Sequence, residues 1–184
     1  MAQTTTLLSC NTTPSTSGLA IITQLNLSNK DGLIGLMDLN STIQFGIDNP
    51  TVSGGTTITS ITPELTGYVL DGVGVTLVIK FEILDSDGSQ LYTENFGPNG
   101  TTNTTLNGTT RTTSDGSNAW TLSDVNGIQI KLSFIAQTAD KFFYVDHAGV
   151  NMVLEEPPII KGKIQHQSGL INHTSGKISL IDIP

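Results

Sequence analysis

Two segments of the chain alternate apolar and polar side chains with the two-residue period of a half-buried strand. The first segment, residues 75–83, carries on one face Val75, Leu77, Ile79, Phe81 and Ile83. The second segment, residues 128–134, carries on one face Ile128, Ile130, Leu132 and Phe134. Shorter runs that favour strands occur at residues 19–27, 41–47 and 57–61. This pattern predicts an all-β, antiparallel sandwich with little helix.

A carboxylate interrupts the apolar face of the strand predicted at residues 144–154. Strict alternation places Asp146 on the same face as Ala148 and Val150, together with Tyr144. A buried carboxylate is tolerated only if N–H groups or a cation satisfy it. We therefore expect Asp146 to face inward and to accept backbone hydrogen bonds. His147 then points to the opposite face, which excludes an Asp–His pair formed by these neighbours.

The same region carries a resemblance to a known type of module. Its matching residues are Trp120, Asp124, Val125, Asn126, Val145, Asp146, His147, Val150 and Val153. This arrangement resembles the end of a jelly-roll-like β-sandwich module that recurs in structural proteins of bacteriophage virions. The resemblance covers roughly residues 56–155, and Thr121 stands where such modules often have glycine. It implies structural roles for Trp120, Asp124, Asn126 and Asp146.

Changes in composition divide the chain into four parts. Residues 1–18 are polar and predict an extended arm, with at most one short strand at Thr5–Ser9. Residues 19–55 predict additional strands, and residues 56–156 form the sandwich module. Within the module, Pro63 and Glu64 predict a turn, and the threonine-rich residues 97–117 predict an exposed, partly β excursion at one edge. Residues 157–184 begin with a proline pair, Pro157 and Pro158, and form a basic tail.

The tail contains three consecutive heptapeptides. Glycine opens each repeat and isoleucine holds its third place, which gives the pairs Gly162 and Ile164, Gly169 and Ile171, and Gly176 and Ile178. Glycine in every repeat argues against a coiled coil, and an odd period does not keep one face of a flat strand. The pattern favours a strand with a kink in each repeat, as in β-arcs of solenoids or trimeric fibres. Chance repetition is the alternative, and we assign these six residues to assembly.

Charge and cysteine content exclude several classes of partner. The chain has a net charge of −8 and a single arginine, Arg111, so we expect no nucleic-acid binding. Cys10 is alone, which rules out an intrachain disulfide and a thiolate metal cluster. No segment approaches the roughly 20 apolar residues of a membrane span, so we expect no membrane partner. The first residues lack a signal-peptide pattern, which predicts synthesis in the host cytoplasm and a location in the virion.

We find no Ser/His/Asp set, cofactor fingerprint or metal motif, and we expect neither enzymatic activity nor a cofactor. Asp85 and Asp87 before a glycine permit a calcium site, but a hairpin turn is favoured because further ligands are missing.

Two hypotheses for function follow. The first is a virion structural protein of the capsid-decoration, head-fibre or tail type. It would be a homo-oligomer, with a trimer as one form, bound to other virion proteins. The alternative is a glycan-binding module on a phage or bacterial surface. That hypothesis depends on exposed aromatic rings, and the chain offers only Tyr68, Tyr92 and Tyr144 beside Trp120.

Overall fold

A computed structural model describes residues 3–22, 27–28, 30–32, 34–52, 54–70, 74–114, 116–157, 171–174 and 177–180. Its strands in chain order are β1 (Gln3–Ser9), β2 (Ser15–Ser17), β3 (Ala20–Ile21), β4 (Gly35–Met37), β5 (Thr42–Gly46), β6 (Thr57–Val69), β7 (Leu77–Leu84), β8 (Gln90–Phe96), β9 (Thr104–Asn107), β10 (Gln129–Gln137), β11 (Phe143–Glu155), β12 (Ile171–Thr174) and β13 (Lys177–Leu180). One short helix, α1 (Leu122–Val125), precedes β10.

All the strands except β12 and β13 form two antiparallel sheets that face each other. One sheet, here the β11 sheet, has the order β3-β4-β11-β6-β9, and β1 also pairs with β11. The other, the β10 sheet, has the order β2-β5-β10-β7-β8. The all-β, antiparallel sandwich predicted from the sequence is therefore confirmed.

The core lies between the sheets and is filled by the residues that alternate in the sequence. In the β10 sheet, Phe81 on β7 and Phe134 on β10 are fully buried. Phe143 on β11 is fully buried and faces them from the other sheet. Burying each such ring contributes about 1.5–3 kcal/mol to the free energy of folding. The face of each strand that carries these rings therefore turns toward the core.

The longest pairing joins β6 to β11 and contains two irregularities. The register shifts between Val145 and His147 and again between Val153 and Leu154. Phe143 and Val145 are buried in the core before the first shift, and Ala148 continues that face after it. The strict alternation expected from Tyr144 to Leu154 is therefore wrong at this point, because a β-bulge inserts one extra residue.

Pro63 does not form the turn that the sequence predicts. It lies inside β6, opposite Val150, and the strand continues without interruption to Val69. The carbonyl of Pro63 accepts a hydrogen bond from Gly108, whereas the flanking bridge is made by Ile61 with Arg111. The nitrogen of Pro63 therefore faces the segment around Gly108, where the pairing with β6 is irregular and no hydrogen bond from residue 63 is required. Proline is tolerated at such a position.

The first segment of the chain also differs from the prediction. Residues 3–9, expected to belong to an extended arm, pair with β11 of the same chain over seven residues, from Gln3 opposite Glu155 to Ser9 opposite Gly149. Leu8 and Cys10 are buried in the core. Two apolar side chains and a full ladder are enough to hold this strand against the sandwich, so it is a structural strand of the β11 sheet.

The remaining predicted segments are partly reproduced. The threonine-rich excursion contains β9, which pairs with β6 at the edge of the β11 sheet, as expected. Only Ala20–Ile21 is a strand in the region predicted at residues 19–27, and part of that region lies outside the described residues.

In the tail, β12 and β13 pair antiparallel, with Thr174 opposite Lys177. The two strands therefore meet at the border between the second and third repeats. The glycines that open the three repeats lie outside the described residues, so the kinked strand expected from them stays a prediction.

Gly149 provides a test of how β1 is held. A Cβ at this position would lie 2.5 Å from the Leu8 carbonyl oxygen and 3.0 Å from Cε1 of His147. We expect Gly149→Ala to lower the free energy of unfolding by about 1–3 kcal/mol, because backbone would have to move. Gly54→Ala is the matched control, since nothing lies within 4 Å of its Cβ position. Equal stability of the two variants in urea would contradict the pairing of β1 with β11.

Candidate functional site

The outer face of the β11 sheet, on the side away from the core, carries a group of polar side chains around a carboxylate and an imidazole that are shielded from water. Glu64 is 5% exposed and His147 is 0% exposed. We call Ser9, Lys30, Glu64, His147 and Asn151 the Glu64 cluster. It joins β1, the segment at residues 30–32, β6 and β11, so residues far apart in the sequence meet on one face.

Glu64 is the centre of this cluster. Its Oε1 lies 2.7 Å from Nζ of Lys30, and its Oε2 accepts a hydrogen bond of 3.0 Å from the side-chain amide of Asn151. Nδ1 of His147 lies 3.2 Å from Oε1, but the two atoms are not aligned for a hydrogen bond.

His147 is enclosed between Glu64 and β1. Its Nε2 lies 3.2 Å from Oγ of Ser9, and the ring packs beside Gly149, where a Cβ would touch it. Burial holds the pKa of His147 below its ordinary value, although the nearby carboxylate of Glu64 acts in the opposite direction. The imidazole is therefore neutral at pH 7, because desolvation disfavours the imidazolium.

Ser9, His147 and Glu64 follow one another in the order of a nucleophile, a base and an orienting carboxylate. A working triad needs the imidazole Nδ1–H to be hydrogen-bonded to the carboxylate. Here that alignment is absent, and Lys30 contacts the same oxygen. The arrangement is accordingly a buried ion-pair network. No sequence motif indicates this network, because Ser9 and His147 are 138 residues apart.

Asp146 is the extra residue at the β-bulge and is 1% exposed. Its Oδ1 accepts a hydrogen bond of 2.9 Å from the Gly32 backbone N–H, and its Oδ2 accepts one of 2.6 Å from the Asn103 side-chain amide. Each oxygen of the carboxylate thus accepts one hydrogen bond, one from a backbone N–H and the other from a side-chain amide. Asp146 fastens two connecting segments, one on each side of β11, to the outer face of the sheet.

The other three residues singled out by the resemblance lie together before β10. Trp120 is buried, and its indole N–H donates to the Arg111 carbonyl at 3.0 Å. Asp124 closes a capping box with Thr121, each side chain accepting from the other's backbone N–H. Asn126 ends α1, donating its backbone N–H to Leu122. The position that often holds glycine in such modules is thus the N-cap of α1, a role that threonine fills.

A row of apolar and aromatic side chains crosses the same outer face near one end of the sandwich. Cross-strand pairing places Ile21, Leu36, Tyr144 and Tyr68 side by side on β3, β4, β11 and β6, and we call these four the tyrosine row. The two tyrosine rings are stacked, with centroids 5.0 Å apart and planes 13° apart. Both tyrosines are half-buried, whereas Ile21 is 68% exposed.

The third tyrosine lies on the β10 sheet. Tyr92 is 6% exposed and is covered by the guanidinium of Arg111, 4.9 Å from the ring centroid. Its hydroxyl donates to Glu94, which also accepts from the Thr109 backbone and hydroxyl at 2.7 and 2.9 Å. Burial and Glu94 raise the pKa of Tyr92. Burial alone would raise the pKa of Glu94, but the donors from Tyr92 and Thr109 hold it below its usual range.

The residues assigned to assembly fall mostly outside the described residues. Ile171 lies in β12 and Ile178 in β13, whereas Gly162, Ile164, Gly169 and Gly176 are not described. Cys10 is 3% exposed, and burial raises the pKa of its thiol to about 11. The described side chains include no group of three or more His, Cys, Asp or Glu placed to hold a metal ion. Among the described helices, none has the length and apolar character of a membrane span.

In sequence, the chain matches no protein-family model and no curated protein. In structure, it is similar to truncated AlyQ with CBM32 and alginate lyase domains, at a TM-score of 0.48 and 9% identity, over 85% of this chain and 36% of that chain. A family 22 carbohydrate-binding module of Clostridium thermocellum Xyn10B gives a TM-score of 0.35 and 17% identity, over 75% and 85% of the two chains. A protein of infectious bursal disease virus, Gt strain, gives 0.33 and 10%, over 83% and 32%. These similarities are too distant to carry an argument about function.

His147 predicts a specific dependence of stability on pH. Its folded-state pKa lies below its ordinary value of 6.5, so the folded state binds fewer protons than the unfolded state under mildly acidic conditions. The contribution of neutral His147 is complete above about pH 6.5 and is lost as the pH falls toward the folded-state pKa. The groups that face it are Ser9, Lys30, Glu64 and Asp146.

We therefore expect His147→Gln to reduce the loss of thermal stability between pH 7.5 and pH 5, measured against the unmodified protein. His173→Gln, which changes a histidine of the tail, serves as the control and should leave that loss unchanged. Identical pH dependence in His147→Gln and the unmodified protein would show that this imidazole is not the group that titrates.

Proposed function

We propose that the protein is a structural component of a bacteriophage virion, of the capsid-decoration, head-fibre or tail type. In this proposal the tail attaches the chain to the particle and the sandwich projects from it. The observation that supports the proposal is the pairing of Gln3 with Glu155. It places the start of β1 and the end of β11, from which the tail continues, at the same end of the sandwich. The resemblance around Trp120 and Asp146 supports it independently.

Charge supports attachment through the tail. Residues 157–184 contain Lys161, Lys163 and Lys177 against Asp182, a net charge of +2, in a chain whose net charge is −8. The rest of the chain therefore carries −10. A basic segment that follows an acidic body is attracted to the acidic body of a neighbouring copy. This favours a homo-oligomer in which tails contact neighbouring sandwiches, while β1 stays within its own subunit.

The opposite end of the sandwich exposes apolar side chains. Leu70 and Phe142, just beyond the pair formed by Val69 and Phe143, are 51% and 38% exposed. Ile135, on the neighbouring strand β10, is 46% exposed. Apolar groups grouped at the end away from the tail favour contact with a further protein at that end.

Removal of the tail tests this proposal. We expect residues 1–157 to remain folded, because the described core is built from residues between Leu8 and Leu154, but to lose self-association and binding to particles. Light scattering gives the mass of both forms, and co-sedimentation with purified particles measures their attachment. The matched control replaces Lys161, Lys163 and Lys177 with glutamine and keeps the tail, which separates the effect of charge from that of length. A full-length protein that stays monomeric and does not sediment with particles would refute the proposal.

A second candidate function is glycan binding, and the tyrosine row is the observation that favours it. Aromatic rings beside polar groups suit the apolar faces and hydroxyls of a sugar. Tyr68 and Tyr144 are stacked on the outer face, and exposed Asn103 follows them in the direction of β9. Two of the three tyrosines are thus brought together, which the sequence alone did not indicate.

A glycan array distinguishes this second function from the first. If the tyrosine row binds sugar, Tyr68→Ala and Tyr144→Ala should each reduce binding by roughly tenfold or more, since an aromatic contact contributes about 1.5 kcal/mol. Tyr92→Phe is the control, because that ring is covered by Arg111 and lies on the other sheet. Absence of glycan binding by the full-length protein, together with normal particle attachment, would leave the structural function alone.

A further inference from the structure

An amine and a primary amide are held on the two oxygens of one shielded carboxylate. Nζ of Lys30 lies 2.7 Å from Oε1 of Glu64, and Nδ2 of Asn151 lies 3.0 Å from Oε2. Glu64 is 5% exposed. The nucleophilic atom of the lysine and the leaving atom of the asparagine therefore contact the same general acid–base group.

We propose that Lys30 and Asn151 are the partners of an intramolecular amide bond, formed with Glu64 as the proton carrier. The proposal depends on the geometry of the Glu64 cluster and is independent of whether the protein belongs to a virion. It assigns a chemical role to a lysine–glutamate pair that would otherwise only be a partly exposed ion pair.

The reaction needs no further reactant. The Lys30 ammonium gives a proton to Glu64, and the free amine attacks the Asn151 side-chain carbonyl carbon, forming a carbon–nitrogen bond. Glu64 returns the proton to the Asn151 nitrogen as the carbon–nitrogen bond of the primary amide breaks, and ammonia leaves. Ammonia takes up the second proton released by the lysine nitrogen. One ammonium ion is lost, and a secondary amide joins the two side chains.

The surroundings suit each of these steps. Holding both reacting groups on one carboxylate converts a reaction between separate molecules into one between neighbours, which lowers the entropic part of the barrier. His147, fully buried and 3.2 Å from Oε1, faces the oxygen that receives the lysine proton. The Lys30 side chain is 38% exposed, so ammonia has a path to solvent.

The bond would connect two parts of the fold that are otherwise held by hydrogen bonds. Lys30 lies in the segment whose Gly32 N–H binds Asp146, and Asn151 lies in the middle of β11. A covalent link between residues 30 and 151 closes a loop that includes most of both sheets. Such a link restricts the unfolded chain and raises the free energy of unfolding.

Intact-mass spectrometry of the full-length protein tests the proposal. We expect a species lighter than the sequence mass by one ammonia, and its fraction should rise during incubation at increasing pH, because only the free amine attacks. A protease digest should contain one branched peptide that joins the segments around Lys30 and Asn151. In a denaturing gel, the linked chain should migrate ahead of the unlinked chain.

Three variants separate this reaction from other losses of ammonia. Lys30→Arg keeps the positive charge beside Glu64 but removes the nucleophile, and Glu64→Gln removes the proton carrier, so both should retain the sequence mass. Lys80→Arg is the matched control, since Lys80 Nζ also lies 2.7 Å from a glutamate, Glu82, and should leave the reaction unchanged. Circular dichroism verifies that each variant is folded.

Cyclisation of an asparagine on its own backbone also releases ammonia, but it leaves no branched peptide and persists in Lys30→Arg. Loss of ammonia without a branched peptide, unchanged in Lys30→Arg, would overturn the proposal. So would a full-length protein that retains its sequence mass after prolonged incubation at pH 9. Either result leaves particle attachment and glycan binding unaffected.

Discussion

The antiparallel pairing of β6 with β11 is the constraint on which the rest of the structure depends. These strands, Thr57–Val69 and Phe143–Glu155, are the longest in the β11 sheet, and every other strand of that sheet except β3 hydrogen-bonds to one of them. Their core faces supply one wall of the hydrophobic core. Their outer faces place Glu64 near Asn151 and Tyr68 beside Tyr144. The ion-pair network and the tyrosine row are both consequences of this single register.

The sequence predicted the strands whose apolar side chains alternate with polar ones, and it failed where one residue breaks the alternation. β7 and the start of β10 follow a simple two-residue period of apolar side chains, so the sequence predicts which of their faces points to the core. The bulge at Asp146 and the tolerance of a proline at position 63 depend on which strands pair on each side, and the tertiary structure decides that pairing. Asp146 is shielded from water, but the bulge puts it on the outer face with His147 and not on the face of Ala148 and Val150, as predicted, and two donors from distant segments satisfy it.

The Glu64 cluster was not predictable for a related reason. Its five residues come from β1, the segment at residues 30–32, β6 and β11, and none of them stands in a motif with its partners. Glu64 follows Pro63, and a proline followed by a glutamate predicts a turn as long as the pairing of the surrounding strand is not known. Only the register of β6 against β11 shows that its carboxylate is covered, and a covered carboxylate must find a cation and donors or lose its charge.

The pairing of Gln3 with Glu155 also determines how the molecule responds to mechanical load. If both flanks are pulled apart, the force acts across the ladder between β1 and β11, and its hydrogen bonds break one after another, as in a zipper. If the protein is held by the tail after Glu155 and pulled at Leu70, the force acts at opposite ends of β11 and β6. The hydrogen bonds between these two strands then share the load in shear. Attachment through the tail alone, with residue 3 left free, therefore resists a larger force than attachment through both residue 3 and the tail.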